Sequence, residues 1–227
     1  MQLKDFAKIF FTILVIHLAV LDVGESPMMI YFTKPMILLS LIAFFMHHTP
    51  DRQGFERFFF GGLAFSLLGD ILLMLTDRGE QYFLLGLGAF FVAQLLYTLA
   101  FFKEVGGQPG LLRKRPYLAL PLLALGAALV YILKDGMGDL AVPIIAYATM
   151  ITAMALAALN RRPAVTPKSF WLVFGGALFF ILSDASIAYG KFIAPFPYER
   201  IVVMSTYGVA QFFMVWGMLE KTLSVNG

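Results

Sequence analysis

The amino-acid sequence predicts an all-α protein that crosses a membrane several times, and three observations support this fold class. The 227 residues are 60% hydrophobic and only 14% charged, with a mean hydropathy of +0.82. A soluble domain is usually about 45–50% apolar and about 25% charged, and a soluble chain of this length cannot bury so much apolar surface. Apolar runs of about 20 residues recur along the chain, and lysine and arginine concentrate in alternate loops. This composition argues against a soluble enzyme, a disordered chain and a nucleic-acid-binding module.

Eight apolar runs are long enough to cross a bilayer, whose hydrocarbon core of about 30 Å needs roughly 20 residues per helix. Glycine, proline and charged residues separate the runs, as is typical of turns. No long hydrophilic stretch lies between them, so we expect residues 1–227 to form a single transmembrane domain. The eight predicted transmembrane helices cover about residues 6–23, 28–47, 57–75, 82–102, 117–134, 139–159, 169–189 and 200–219.

The loop charges predict the orientation of these helices. Loops on the side of the N-terminus carry twelve lysines and arginines, whereas the opposite loops carry four: Arg78, Lys134, Lys191 and Arg200. Cytoplasmic loops are enriched in lysine and arginine. We therefore expect both termini to be cytoplasmic, with the protein integral to the inner or plasma membrane of the cell.

A similarity between two runs predicts an internal repeat. The third run contains Gly-Gly-Leu-Ala-Phe-Ser-Leu-Leu-Gly-Asp up to Asp70, and the seventh contains Gly-Gly-Ala-Leu-Phe-Phe-Ile-Leu-Ser-Asp up to Asp184. Val-Ala-Gln recurs in the fourth and eighth runs, ending at Gln94 and Gln211. We interpret the chain as two four-helix repeats, about residues 1–105 and 111–227. Because four is an even number, the repeats have the same orientation and are parallel.

Asp70 and Asp184 are the strongest candidates for functional residues. An ionisable group at membrane depth costs about 2.5–3.5 kcal/mol, so such groups usually have a function. Each aspartate lies about 14 residues, or about 21 Å, into its run, and the two runs have the same direction. Both carboxylates are thus expected in the outer half of the bilayer, facing a single cavity. The alternative is that each is a buried, hydrogen-bonded packing group.

Lys34 lies at a similar depth in the second run. It either pairs with a carboxylate, binds an anionic headgroup, or extends its side chain to the outer interface. Pro35 follows it and disfavours helical backbone at Lys34, which predicts a kink or a late start of the helix.

Several uncharged polar residues are expected near the aspartates. Gln94 and Tyr97 share a face of the fourth helix, and Tyr207 and Gln211 share a face of the eighth. These four line the same cavity or form interhelical hydrogen bonds. Tyr147, in the outer half of the sixth helix, has the same two interpretations.

The sequence gives little sign of metal or cofactor binding. The chain has no cysteine and three histidines. His47 and His48 are adjacent, so a helix points them about 100° apart, which is poor geometry for chelation. His17, in the middle of the first run, is either a packing residue or part of the site. We expect neither a metal nor a cofactor.

Six short motifs, in order along nearly the whole chain, resemble the YhhN-type lysoplasmalogenases, a family of small multi-span membrane hydrolases. The resemblance implies hydrolysis of the vinyl ether bond of lysoplasmalogens to a fatty aldehyde and glycerophosphoethanolamine or glycerophosphocholine, with no cofactor or metal. It also implies that Asp70 and Asp184 are the family's paired aspartates. The motifs are Thr33-Lys34-Pro35, Ser66-Leu67-Leu68-Gly69-Asp70, Gln94-Leu95-Leu96-Tyr97, Val142-Pro143 with Tyr147, Leu182-Ser183-Asp184 and Thr206-Tyr207-Gly208-Val209-Ala210-Gln211.

Two carboxylates suit the chemistry that this resemblance implies. Vinyl ether hydrolysis begins with protonation of an alkene carbon, which gives an oxocarbenium ion of the kind that glycosidases stabilise with two carboxyl groups. One aspartate would act as the acid and the other as the base, and the sequence does not distinguish them because close carboxylates titrate as a pair. The remaining candidates would bind substrate or orient water: Lys34, Gln94, Tyr97, Tyr147, Tyr207, Gln211 and His17.

The expected partners are a lysophospholipid substrate and membrane lipid, without nucleic acid; the sequence leaves the oligomeric state undetermined. Two other functions remain open at this stage. Buried acids and parallel repeats also occur in proton-coupled transporters and channels, and a lipid-binding protein without catalytic activity has a similar composition.

Overall fold

The structure is a computed structural model that describes residues 2–24, 27–51, 53–162 and 164–225, with only the backbone described for residues 221–225. The described chain is helical and contains no strand, which confirms the predicted all-α class. Short 3-10 turns precede α4, α6 and α7. The helices are α1 (Leu3–Val23), α2 (Pro27–His48), α3 (Glu56–Leu73), α4 (Gln81–Val105), α5 (Leu111–Lys114), α6 (Leu120–Leu133), α7 (Ala141–Asn160), α8 (Pro167–Phe192) and α9 (Glu199–Val225).

Seven helical segments in the described residues are long and apolar enough to cross a membrane, which indicates an integral membrane protein. They correspond to seven of the eight predicted transmembrane helices. The remaining one, α3, has 18 residues that include Glu56, Arg57 and Asp70, and it is not among the seven. The count of eight spans and the cytoplasmic position of the termini therefore stay predictions.

The long helices alternate in direction through the bundle. We call the end at which α1 begins the proximal end, and the opposite end the distal end. The residue pairs in contact show that α1, α3, α6 and α8 run from proximal to distal, and that α2, α4, α7 and α9 return. The distal end therefore holds the ends of α3 and α8 and the starts of α4 and α7.

The two most closely packed helix pairs are α3 with α4 and α8 with α9. In the first pair Gly62 lies against the ring of Tyr97, and in the second Gly176 lies against Met214 and the carbonyl oxygen of Ala210. Glycine allows such close approach because it has no side chain. Gly62 and Gly176 are equivalent positions of the predicted repeat, whose organisation as two parallel halves stays a prediction.

Aromatic packing fixes α1 and α2 beside α9. The rings of Phe6 and Phe44 stack with their centroids 3.9 Å apart, and the rings of Phe10 and Phe212 stack at 5.0 Å. Offset and edge-on aromatic pairs contribute about 0.5–1.5 kcal/mol beyond the area that they bury. This cluster holds α2 and α9, the helices that carry Lys34 and Tyr207, in a defined position.

The late helix start that Pro35 suggested is wrong. α2 begins at Pro27 and continues through Pro35 to His48. A proline fits the first turn of a helix because the N–H it lacks would have no helical partner there. At Pro35 the missing N–H costs one backbone hydrogen bond, and packing against α1, α3 and α9 maintains the helix. The kink that Pro35 suggested stays a prediction.

The close contact at Gly176 predicts that Gly176→Ala lowers the melting temperature of the detergent-solubilised protein. An added Cβ would lie 2.8 Å from the Ala210 carbonyl oxygen and 2.7 Å from Met214 Cγ, and overpacking costs about 1–3 kcal/mol. Gly88→Ala is the matched control, because a Cβ there meets nothing within 4 Å. The control should be neutral or stabilising by up to about 1 kcal/mol. Equal melting temperatures for the two variants would contradict the close packing of α8 on α9.

Candidate functional site

Asp70 is buried in the bundle and has two partners from other helices. It lies near the distal end of α3 and is 2% exposed. The Nζ of Lys34 on α2 lies 3.3 Å from its Oδ1, and the hydroxyl of Tyr207 on α9 donates to its Oδ2 at 2.8 Å. The side chain of Lys34 is 13% exposed. Lys34 therefore pairs with a carboxylate inside the bundle, which is one of the arrangements expected from the sequence.

Asp184 has a different set of partners. It lies on α8 and accepts a hydrogen bond from Gln94 Nε2 on α4 at 3.2 Å and another from the Tyr147 hydroxyl on α7. Both donors bind Oδ2, and Oδ1 has no hydrogen-bond donor among the described residues. Asp184 thus keeps one carboxyl oxygen available, whereas both oxygens of Asp70 are occupied.

One hydrogen bond to each aspartate joins the first half of the sequence to the second. Asp70 in the first half accepts from Tyr207 in the second, and Asp184 in the second half accepts from Gln94 in the first. These two bonds join residues that are 137 and 90 positions apart. The surroundings of each aspartate therefore form only when distant segments of the chain pack together.

Tyr97 and Gln211 form the deeper part of this site. The Tyr97 hydroxyl donates to Gln211 Oε1 at 2.9 Å, and the Ser66 hydroxyl lies 3.3 Å from the same phenol oxygen. All three side chains are fully buried. Two further amide atoms, Gln94 Oε1 and Gln211 Nε2, are buried without a partner in the described part of the chain. Burying a polar atom without a hydrogen bond is costly, so these two atoms are candidates to bind a substrate or water.

His17 lies beside the site with one free ring nitrogen. Its Nδ1 is 2.8 Å from Thr33 Oγ1, and the Thr33 hydroxyl hydrogen is donated to the Met29 carbonyl oxygen. The hydrogen between His17 and Thr33 must therefore be on Nδ1, so in a neutral ring Nε2 is an acceptor. That Nε2 is buried and has no partner among the described residues.

An apolar cleft at the distal end leads to Asp184. It is lined by residues of α3, α4, α7 and α8, and its polar lining side chains are Tyr147 and Asp184. Asp70 is not part of the lining, so this cleft is not the single cavity that the sequence predicted for both carboxylates. Phe90 lines the cleft and also packs against Gly69 and Tyr207. This ring therefore forms the cleft wall next to the Asp70 site.

The burial of one arginine at the proximal end was not predicted from the sequence, where this residue was counted among the loop charges. Arg161 is 0% exposed. Its Nε donates to Glu104 Oε2 at 2.7 Å, and its terminal nitrogens donate to the carbonyl and hydroxyl oxygens of Ser169. This cluster joins α4, α7 and α8, three of the helices that line the cleft. The only sign of this ion pair in the sequence was Glu104, which lies just after the fourth apolar run.

Side chains that could bind a metal ion do not cluster in the described part of the chain. Among the described residues, no set of three or more His, Asp or Glu side chains is arranged to hold a metal ion. The site as described consists of two carboxyl groups, one ammonium group, and the hydroxyl, amide and imidazole groups around them.

Comparisons with known proteins agree on one family. The family model described as the YhhN family matches residues 29–218. Human "Lysoplasmalogenase TMEM86A" is 38% identical over 165 residues, which cover 71% of this chain and 65% of that protein. Human "Lysoplasmalogenase TMEM86B" is 33% identical over 189 residues, or 83% of this chain and 74% of that protein. The pig protein of the same name is 32% identical over 208 residues, or 92% and 83% of the two chains.

The chain thus spans slightly less than two thirds of human TMEM86A and about three quarters of human TMEM86B. No solved structure matches this chain.

The Arg161–Glu104 ion pair predicts that Arg161→Met strongly destabilises the protein, by about 3–5 kcal/mol, because Glu104, whose side chain is only 15% exposed, loses its partner. The double variant Arg161→Met/Glu104→Gln should lose less, since it leaves no unpaired charge. Arg113→Met is the control, because Arg113 is exposed. Thermal unfolding in detergent would measure all three, and a double variant less stable than Arg161→Met would contradict this account.

Proposed function

The chain belongs to the YhhN family, and from this membership and the geometry of the two aspartates we propose that it is an intramembrane lysoplasmalogenase. Its substrate would be an alkenyl-glycerophosphoethanolamine or -choline. Its products would be a fatty aldehyde and the glycerophospho headgroup. The observation that carries the proposal is Asp184, a carboxyl group with one free oxygen in an apolar cleft.

The two aspartates differ in a way that supports separate roles. Asp70 has a cationic partner, Lys34, at 3.3 Å, whereas the partners of Asp184 are the neutral donors Gln94 and Tyr147. A nearby cation stabilises an ionised carboxylate. We therefore assign the role of proton donor to Asp184, and that of the electrostatic stabiliser to Asp70.

The reaction then follows the course expected for acid-catalysed hydrolysis of a vinyl ether. Asp184 Oδ1 transfers its proton to the alkene carbon remote from the ether oxygen, and the adjacent carbon and the oxygen share the positive charge. The negative charge of Asp70 stabilises this cation electrostatically. Water attacks the cationic carbon and gives a proton to a carboxylate, which forms a hemiacetal. The hemiacetal breaks into the aldehyde and the free glycerol hydroxyl.

The lining of the cleft suits the chain of a lipid. Its side chains are apolar apart from Tyr147 and Asp184, and small-ligand sites typically combine an apolar lining with a few polar groups. With both termini in the cytoplasm, the distal end would face the outer leaflet of the cell membrane. A lysolipid would then enter from that leaflet, with its vinyl ether next to Asp184.

Replacing either aspartate tests these roles. Asp184→Asn should lower aldehyde release from lysoplasmalogen by about 10²- to 10⁴-fold, the usual contribution of an acid–base group. Asp70→Asn should lower it by about 10²- to 10³-fold, the usual cost of removing an electrostatic stabiliser of the transition state. Asp135→Asn is the control, because Asp135 is exposed between α6 and α7. Aldehyde would be measured with the purified protein in lipid nanodiscs. Normal turnover by both site variants would overturn the two-aspartate mechanism.

Tyr147→Phe removes one donor to Asp184 without removing the ring that lines the cleft. We expect kcat to fall about tenfold or more and KM to change little. Tyr147 donates to the carboxylate that forms as Asp184 gives up its proton, and a hydrogen bond to a charged group is worth about 1.5–3 kcal/mol. Tyr131→Phe, on an exposed tyrosine of α6, should have no effect. A change confined to KM would instead assign Tyr147 to substrate binding.

The competing function is a proton-coupled transporter or channel, since buried acids also serve proton transfer. Reconstitution in proteoliposomes with a pH-sensitive dye distinguishes the two functions. Aldehyde release without proton flux supports the hydrolase. Substrate-dependent proton flux without aldehyde release would replace it with the transporter.

A further inference from the structure

The proposed substrate carries a phosphate group, and the cleft around Asp184 has no cation in its lining. Lys34 is the cation that the sequence suggested for this phosphate. In the structure its Nζ is 3.3 Å from Asp70 Oδ1 and its side chain is largely buried. If Lys34 left Asp70 to bind phosphate, a buried carboxylate would lose its counter-charge, which is strongly unfavourable. The phosphate therefore requires a different cation.

Lys191 lies at the distal mouth of the cleft, in line with Asp184. The two residues are seven positions apart on α8, which is about two turns and about 10.5 Å along the axis, so they share a face. Ile187 and Phe192, its neighbours on α8, line the cleft. The Lys191 ammonium lies 4.7 Å from the ring centroid of Phe83, another lining residue.

The ammonium of Lys191 is available to a ligand. The Oε1 of Glu80, which immediately precedes α4, lies 4.0 Å from the Nζ of Lys191. The side chains of Lys191 and Glu80 are 35% and 94% exposed. An exposed pair at this distance contributes little stability, so a phosphate can displace the carboxylate at small cost. Lys191 and Glu80 then present a positive and a negative charge side by side at the mouth.

We propose that Lys191 and Glu80 form the subsite for a zwitterionic lipid headgroup, with Lys191 binding its phosphate and Glu80 its ammonium group. This inference rests on the proposed function, because it places the vinyl ether beside Asp184 while the headgroup is held at the mouth. The charge arrangement is complementary to phosphoethanolamine and phosphocholine, in which an anion and a cation are two carbons apart. The subsite makes the headgroup, as well as the chain, a determinant of specificity.

Kinetics with three substrates test this subsite: an alkenyl-glycerophosphoethanolamine, the alkenyl-glycerophosphate without the amine, and the alkenylglycerol without the phosphate. Lys191→Met should raise KM about tenfold for both phosphate-bearing substrates, which is the loss of one charge-assisted contact. It should leave KM for the alkenylglycerol unchanged. Lys191→Arg should restore KM to within about twofold of wild type, since arginine also binds phosphate.

For Glu80→Gln, we expect KM to change in opposite directions for two of the substrates. KM should rise a fewfold for the phosphoethanolamine substrate, which loses a partner for its ammonium group. KM should fall for the alkenyl-glycerophosphate, because a negative charge that repels the phosphate is removed. A rise for both substrates would remove Glu80 from the subsite.

Lys134→Met is the matched control for Lys191→Met. Lys134 is another lysine at the distal end, with its ammonium 4.3 Å from the ring centroid of Tyr131, and Tyr131 does not line the cleft. This variant should leave every KM unchanged. An equal rise for Lys134→Met and Lys191→Met would indicate a general effect of surface charge and overturn the subsite.

A binding measurement separates failure of the subsite from failure of the proposed function. Alkyl-glycerophosphoethanolamine and alkylglycerol lack the vinyl ether and cannot be cleaved by this chemistry, so their Kd values do not depend on catalysis. The subsite predicts that Lys191→Met weakens the binding of the first ligand alone. If the wild type releases no aldehyde but this difference is seen, the proposed hydrolase fails and the subsite stands. If aldehyde is released and Lys191→Met weakens both ligands equally, the subsite fails and the hydrolase stands.

Discussion

The burial of two carboxyl groups in an apolar bundle is the constraint on which the rest of this structure depends. A carboxylate at membrane depth is tolerated only if other groups compensate it. Asp70 receives an ammonium group and a phenol hydroxyl, and Asp184 receives an amide and a phenol hydroxyl. These donors come from α2, α4, α7 and α9, so providing partners for both carboxyl groups requires the correct packing of most of the bundle.

The same constraint makes the two carboxyl groups unequal. The partners of Asp70 occupy both of its oxygens, whereas those of Asp184 bind a single oxygen and leave the other free at an apolar cleft. Two aspartates at equivalent positions of the predicted repeat therefore have different surroundings. In the proposed reaction this difference separates the proton donor from the charged stabiliser, a division of labour that two identical carboxyl sites could not provide.

Much of the fold was predictable because the bilayer imposes a simple rule on sequence. Runs of about 20 apolar residues have to become helices, since each backbone polar group needs a partner within its own segment. The helical segments accordingly lie close to the predicted runs. Pro35 shows where local preference fails, because neighbouring helices stabilise a backbone that the isolated segment disfavours. Arg161 shows a second failure, since burial of an arginine depends on Glu104, which is 57 positions away in sequence.

The sequence by itself determined the membrane-protein class, the helical segments, and the set of polar residues that lipid alone would not tolerate, because each follows from the cost of placing polar groups in hydrocarbon. The tertiary structure decided how those residues are paired. Lys34 is committed to Asp70, Asp184 alone of the two aspartates lines the distal cleft, and Lys191 lies at the cleft mouth. Partner choice depends on which helix faces are neighbours, and that is set by packing between segments far apart in the chain.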